Sequence, residues 1–226
     1  PQPTMSRITS MEGLIESALK FLQGADIPKS VFPEDFEGTH GIVILESAEV
    51  GFLFKAEVGT GLLMRHDKET KSWSAPLAVG ITGVGAGFTI GAEKRNMIIF
   101  LSGEQITKAM ASDFSLSIGF DQSFSVGPAG EGNVFEAQVG NKGKGVSAAY
   151  SQNKGIFTGV SAETTAMAPR THINTKFYGE KLRPKEIVFG KLEDIAPKCE
   201  PLIKLHVQLD MMMKDQKDRE LRGLTK

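Results

Sequence analysis

The chain has 226 residues with 40% hydrophobic and 23% charged side chains and a formal net charge of −1, values that are ordinary for a soluble globular protein. Because no overall positive charge attracts nucleic acid or an acidic membrane, any such binding requires a local basic patch. The single cysteine, Cys199, excludes an intramolecular disulfide and suits a reducing compartment, and no apolar run approaches the roughly 18 residues of a membrane-spanning helix.

The N-terminal segment predicts an amphipathic helix over residues 5–23, with Gly24 as its stop signal. Ser6 and Thr9 are alternative N-caps. The helix either packs on the domain or lies on a membrane or partner, and both interpretations stay open. The segment lacks the basic region followed by an apolar run of a secretory signal. The apolar stripe consists of Ile8, Met11, Ile15, Ala18, Leu19 and Leu22.

Strand patterns follow. The apolar runs at residues 41–45 and 97–101 predict strands that are buried on both faces. Residues 52–58 alternate in character, and the same rhythm continues in residues 62–66. We therefore expect a hairpin turn at Gly59-Thr60-Gly61, between the two alternating segments.

The next stretch is dense in glycine, with Gly80, Gly83, Gly85, Gly87 and Gly91 separated by apolar residues. In a strand context this density predicts bulges, sharp bends or closely packed backbones. A dinucleotide-binding loop is not indicated, because the third glycine of G-x-G-x-x-G and the strand-to-helix context are both missing.

Residues 114–126 have the clearest period-two alternation, and residues 146–152 and 155–162 predict a strand pair around Asn153-Lys154. After residue 163 the patterns become helical. Pro201 opens a C-terminal helix with a stripe of Leu202, Leu205, Leu209 and Met212.

These patterns predict an α+β fold: a glycine-rich antiparallel β core, a barrel or curled sheet, flanked by N- and C-terminal helices. We expect one domain over residues 1–226. Its core spans about residues 27–190, and the C-terminal helix and charged tail occupy residues 201–226.

No catalytic or metal-binding constellation is recognisable. The histidines (His40, His66, His172 and His206) lack the spacing of zinc ligands, and no G-x-S-x-G nucleophile elbow occurs. We therefore predict a protein that is not an enzyme and uses no cofactor or metal.

Anion binding has two sets of candidates. Lysines among glycines can combine with bare backbone N–H groups to hold a phosphate, and the N-terminal basic residues are the other set. The alternative is that these are scattered surface charges. The first set is Lys142, Lys144 and Lys154; the second is Arg7, Lys20 and Lys29.

Several separated motifs resemble, in order, the pattern of the SYLF domain family. The resemblance covers roughly residues 27–190. The motifs are GIVIL (41–45), GFLF (51–54), GTGLL (59–63), WSAP (73–76), IGAE (90–93), IIFL (98–101), FSLSIG (114–119), SVGPAG (125–130), the stretch from AYS to GVS (149–161) and KFYG (176–179).

The resemblance implies a non-enzymatic phosphoinositide-binding module that acts at membranes in endocytosis or actin organisation. Its implied partners are phosphoinositide-containing membranes and, for some members, actin filaments, with no nucleic acid and no transmembrane segment. The implied location is cytoplasmic and peripheral at membranes. Two alternatives stay open: an actin- or cytoskeleton-binding adaptor with little lipid affinity, and a barrel that holds an apolar ligand.

Overall fold

The computed structural model of the protein describes residues 9–24, 39–103, 106–107, 116–120, 132–140, 146–197 and 199–221. Within these ranges, residues 55, 86–90, 116–120, 132–140, 146–164 and 215–221 are described by their backbone alone. The elements are α1 (Met11–Gly24), β1 (Thr39–Asp67), β2 (Ser72–Trp73), β3 (Leu77–Ser102), β4 (Leu116–Phe120), β5 (Gly132–Gly140), β6 (Val146–Pro169), α2 (Thr171–Tyr178), α3 (Pro184–Phe189), α4 (Leu192–Ile195) and α5 (Glu200–Leu221).

The six strands form one antiparallel sheet in the order β2-β1-β3-β6-β4-β5, and β5 also pairs with β6. The predicted α+β class is confirmed. Among the described strands the sheet does not close on itself, so of the two predicted forms the curled sheet is observed. Its three long strands, β1, β3 and β6, have 29, 26 and 24 residues.

The long strands bend sharply. A straight strand rises about 3.3 Å per residue, so residues 41 and 64 of β1 would lie roughly 75 Å apart. Instead, a Cβ atom placed on Gly41 would lie 3.0 Å from the Met64 carbonyl oxygen. The register between β1 and β3 shifts between Phe52 and Phe54, and Leu53 between them has a φ of 65°. Here β1 folds back on its own first half, and this position is called the bend.

The predicted hairpin turn at Gly59-Thr60-Gly61 is wrong, because these residues lie inside β1 and pair with β3. A Cβ atom on Gly61 would overlap the Ile44 carbonyl oxygen, and one on Gly59 would lie 2.7 Å from the Ser47 Cβ atom. The glycines are therefore needed where the two halves of the strand touch, not where the chain turns.

The concave side of the bent sheet contains one apolar core, to which α3 adds Ile187 and Val188. It is built from alternate residues of the long strands, as the period of two requires. The buried strand residues are Val43, Leu45, Leu63, Leu77, Val79, Ile81, Met97, Ile99, Leu101 and Met167.

A second apolar core covers the outer face of the sheet near the strand ends, away from the bend. There α1 and α5 pack on the sheet and on each other. Burial on both faces explains the apolar runs at residues 41–45 and 97–101, which are confirmed as strands. The sheet contributes Ile42, Ile44, Leu62, Met64, Ile98 and Phe100, and the helices contribute Met11, Leu14, Ile15, Ala18, Leu22, Leu202, Leu205 and Leu209.

Two element boundaries differ from the predictions. Helix α1 begins at Met11, after the described, non-helical residues Thr9 and Ser10, and the Ser10 hydroxyl accepts a hydrogen bond of 3.2 Å from the Gly13 N–H. Ser10 is thus the observed cap. The strand pair predicted around Asn153-Lys154 is instead one continuous strand, because β6 follows the full length of β3.

Candidate interaction surfaces

The predicted lipid-binding residues are only partly within the described part of the chain. Lys20 is exposed on α1. Lys154 lies within β6, where the register pairs it with Lys94 of β3. The other four, Arg7, Lys29, Lys142 and Lys144, lie outside the described residues, so the basic patch stays a prediction.

The N-terminal helix packs on the domain. Its buried residues contact α5 and the sheet. The apolar face that a membrane-surface helix would insert into lipid is therefore buried inside the domain. The contacts of α1 therefore favour a structural role for this helix.

The described residues contain no group of three or more His, Cys, Asp or Glu side chains placed to hold a metal ion. Separately, none of the helices in the described part of the chain is both long and apolar enough to cross a membrane.

An exposed apolar surface lies on the outer, convex side of the bend, and it is called the bend surface. The side chains of Phe52 and Phe54 are 70% and 74% exposed, although phenylalanine is normally an interior residue. Contiguous exposed apolar patches of this kind mark interaction sites. The bend surface consists of Val50, Phe52, Leu53, Phe54, Val58 and Val84.

Charged residues occupy the concave side of the same strands. Arg95 of β3 is 3% exposed and donates hydrogen bonds to Glu49 (Nη2 to Oε2, 2.8 Å) and to Glu93 (Nη2 to Oε1, 2.5 Å). Its Nη1 atom lies 3.8 Å from Glu57 Oε1, on the second half of β1. The arginine thus connects both halves of the folded strand.

Two hydroxyl groups complete this buried cluster. Ser47 Oγ donates a hydrogen bond of 2.6 Å to Glu57 Oε1, and Thr165 Oγ1 of β6 donates one of 3.3 Å to Glu57 Oε2. Buried ions are tolerated when they are paired and hydrogen-bonded, and each of these three carboxylates accepts at least one hydrogen bond inside the cluster. The cluster therefore ties β1, β3 and β6 together inside the bend.

The alternation at the bend is inverted relative to an ordinary water-facing sheet. Glu49 and Glu57 are 0% and 1% exposed, whereas Val50 and Val58, each one residue further along, are 58% and 62% exposed. Antiparallel sheets that face water on one side normally turn their apolar residues inward and polar residues outward. The sequence contains this inverted pattern, but alternation alone does not say which face is covered.

A groove of about 540 Å³ lies at the other end of the fold, between the β1–β2 turn, α3, α4 and the start of α5. Trp73 anchors α5 there by donating an Nε1 hydrogen bond of 2.9 Å to Asp210 Oδ1. The Arg65 guanidinium lies 4.8 Å from the centre of the Phe189 ring. Burial lowers the pKa of His206 in this groove, and the Asp210 carboxylate opposes that effect. The groove is a mixed polar and apolar pocket.

One row of apolar side chains on α5 is exposed beside the groove. Ile203, Val207 and Met211 are 59%, 52% and 61% exposed, and their spacing of four residues puts them on one side of the helix. This α5 row is the second exposed apolar surface of the described residues.

Comparison with known proteins identifies the family. The family model "Ysc84: Las17-binding protein actin regulator" matches residues 82–208. The protein YSC84 of Saccharomyces cerevisiae is 30% identical over 203 residues, which are 87% of this chain and 43% of that protein. The LAS seventeen-binding protein 3 of the same species is also 30% identical over 203 residues, 87% of this chain and 44% of that protein.

An animal relative, the human SH3 domain-containing YSC84-like protein 1, is 35% identical over 150 residues, 66% of this chain and 43% of that protein. The chain thus spans less than half the length of these relatives. No solved structure matches. The family match covers more than half of the chain and agrees with the SYLF motifs in its strands, so the chain belongs to the Ysc84 (SYLF) family.

Proposed function

We propose that this chain is a non-enzymatic module of actin organisation or endocytosis that binds phosphoinositide-containing membranes from the cytoplasmic side. The observation that supports this proposal best is the bend surface, which is apolar, exposed and bordered by lysine. Lys94 is 46% exposed at its border, beside Glu46, and Lys154 occupies the neighbouring register position. An apolar patch with basic residues at its rim suits a membrane surface with anionic headgroups.

The contributions of the basic and the apolar side chains to membrane binding differ in their dependence on salt. A basic residue near an anionic surface contributes about 1 kcal/mol, and salt screens this contribution. Each apolar side chain that leaves water contributes roughly 25 cal/mol per Å² of buried area, which salt does not screen. We therefore assign selectivity for charged lipids to the lysines and much of the affinity to the apolar side chains.

Liposome flotation tests the proposal. The chain should float with vesicles that contain phosphoinositide at low salt, and less of it should float at physiological salt. Exchange of Lys154 for glutamate should weaken this flotation, whereas Lys214→Glu, on the exposed end of α5, should not. Absence of flotation at low salt on any phosphoinositide vesicle would refute lipid binding.

The alternative function is an actin- or cytoskeleton-binding adaptor with little lipid affinity. The α5 row favours it, since an exposed apolar row on a helix suits a protein groove. The family description and the names of the yeast relatives also refer to actin regulation and Las17 binding. Co-sedimentation with actin filaments tests it: the intact chain should pellet with filaments, and Val207→Asp should release it. If the intact chain and Val207→Asp pelleted equally, the α5 row would be excluded as the actin-binding surface.

A further inference from the structure

We infer that the bend surface enters the apolar layer of a lipid bilayer, with Phe52, Leu53 and Phe54 inserted and Lys94 at headgroup level. The inference rests on the proposed membrane function and deepens it. It specifies how the apolar side chains of the bend surface leave water, namely by shallow insertion of a folded β-sheet.

The first argument is the inverted alternation. Burying three carboxylates and one guanidinium costs free energy that pairing only partly offsets. Exposing two phenylalanines and three valines to water is unfavourable as well. Both costs fall on the same short stretch of β1 and β3. Contact of the convex face with the apolar layer of a bilayer explains both costs. The apolar side chains of the convex face are then not exposed to water, and the charged side chains of the same strands lie on the concave face.

The second argument is the extent of the uncharged area. The register continues from the bend surface across β3 and onto β6. Ala92, Ile90, Phe88, Ala86 and Val84 of β3 pair with the following residues of β6, none of which is charged: Ile156, Thr158, Val160, Ala162 and Thr164. The first charged pair in this series is Lys94 with Lys154. A lysine register pair that follows an uncharged patch matches the order of headgroup and hydrocarbon in an anionic bilayer, with Lys94 also paired with Glu46 there.

The third argument is shape, which separates a bilayer from a second copy of this chain. Two convex surfaces touch over a small area, and a stable protein interface buries about 800 Å² on each partner. A fluid bilayer instead moulds itself around a convex tip. Leu53, with its φ of 65°, keeps the tip narrow because the strand reverses there within a few residues.

A tryptophan reporter tests insertion directly. The native chain has one tryptophan, Trp73, which is 4% exposed and packs against α5, so it serves as the internal control. In Phe54→Trp the added emission should shift to shorter wavelengths with phosphatidylcholine vesicles that contain phosphoinositide, and lipids brominated on their acyl chains should quench it. The emission of the native chain should remain unchanged.

A matched pair of double variants measures the contribution to binding. Phe52→Ser with Phe54→Ser should lower partitioning into phosphoinositide vesicles at least tenfold, which corresponds to about 1.4 kcal/mol. Ile203→Ser with Val207→Ser removes two similarly exposed side chains from the α5 row and should leave partitioning unchanged. Thermal unfolding of both variants verifies that they fold.

The outcomes separate insertion from the proposed function. Flotation on phosphoinositide vesicles without quenching of the added emission in Phe54→Trp would overturn insertion and leave the proposed function intact. Quenching in phosphatidylcholine vesicles without any phosphoinositide preference would support insertion and refute headgroup selectivity. A native dimer in sedimentation that Phe52→Ser with Phe54→Ser dissociates, together with unquenched emission, would overturn insertion in favour of a second copy.

Discussion

Arg95 is the cation of the buried cluster at the bend. It lies between Glu49, Glu57 and Glu93 on the concave side of the bend. Replacement by methionine preserves much of its length but leaves the carboxylates without this cation. Removing one partner of a buried ion pair typically costs about 3–5 kcal/mol, because the remaining charge stays buried.

We therefore expect Arg95→Met to lower the free energy of unfolding by about 3 kcal/mol or more in a urea titration. Lys94→Met is the matched control, because Lys94 is the neighbouring residue and pairs with Glu46 at the surface. Exposed ion pairs contribute about 0–1 kcal/mol, so the control should unfold near the native midpoint. Equal midpoints for both variants would contradict a stabilising role of the cluster.

Asp67 gives the stability of the chain a pH dependence. The hydrogen bond from Arg65, at 2.6 Å, and those from the Thr70 and Glu69 N–H groups lower the Asp67 pKa from 3.8 to about 2. A carboxylate whose folded pKa is lowered stabilises the fold above its unfolded pKa. That contribution disappears as the pH falls through the folded value.

Asp67→Asn should therefore destabilise the chain at pH 7, by less than about 1 kcal/mol because the side chain is near solvent. The difference from the native chain should shrink between pH 4 and about 2, which thermal melts at several pH values would follow. Exposed Glu69→Gln on the same turn is the control. A difference that grows on acidification would have the wrong sign for this explanation.

At the scale of the strand, glycine sets how closely β1 can fold on itself. Gly61→Ala would place a methyl group against the Ile44 backbone, which cannot move aside as a flexible side chain would. We expect a loss of about 1–3 kcal/mol or more in the free energy of unfolding, since overpacking forces backbone shifts. Gly24→Ala, where an added Cβ atom meets nothing within 4 Å, should change it by less than about 0.5 kcal/mol.

The strands show what sequence patterns can and cannot predict. The buried strands at residues 41–45 and 97–101 follow from local pattern, because both of their faces are covered. The role of Gly59 and Gly61 depends on contact with residues that are distant in the sequence, and local pattern misassigned it to a turn. Glycine density predicts bulges, sharp bends or closely packed backbones in residues 80–91, and the register shift opposite Phe52 and Phe54 falls in that stretch, but the bend of β1 at Leu53 has no local signal.

The same limit applies to the candidate site. GFLF at residues 51–54 was recognisable as a family motif and as an alternating strand. The sequence does not indicate which face of this strand is exposed to water, because that depends on the Arg95 cluster, whose members come from different strands. Lys154 was predicted in a turn, whereas pairing with β3 keeps it inside β6.

At the scale of the whole molecule, the bend surface and the α5 row lie far apart along the sheet. The bend lies at Leu53, whereas α5 packs on Ile42, Ile44 and Ile98 near the strand ends. At about 3.3 Å per residue, roughly 30 Å of strand separates Ile44 from the bend. Changes at one surface should therefore not alter the other.

We expect Phe52→Ser with Phe54→Ser to abolish most vesicle flotation while any filament pelleting persists. Val207→Asp should do the reverse, because energetic effects of distant sites are additive. Centrifugation of the chain with vesicles and filaments together would show whether the chain bridges them, because bridged vesicles would leave the supernatant and pellet with the filaments. Loss of both activities in either variant would mean that the surfaces are coupled or that the fold is damaged.

The register of the long strands also has a consequence for synthesis in the cell. The β1–β3 hairpin closes early, since Leu63 pairs with Leu77, whereas Val79 must wait for Pro169. At about 5–20 residues per second, the ribosome leaves the open side of β3 unpaired for seconds after the hairpin has emerged. An unpaired strand of this length is a template for intermolecular association, so we expect the nascent chain to be prone to such association until β6 has been synthesised.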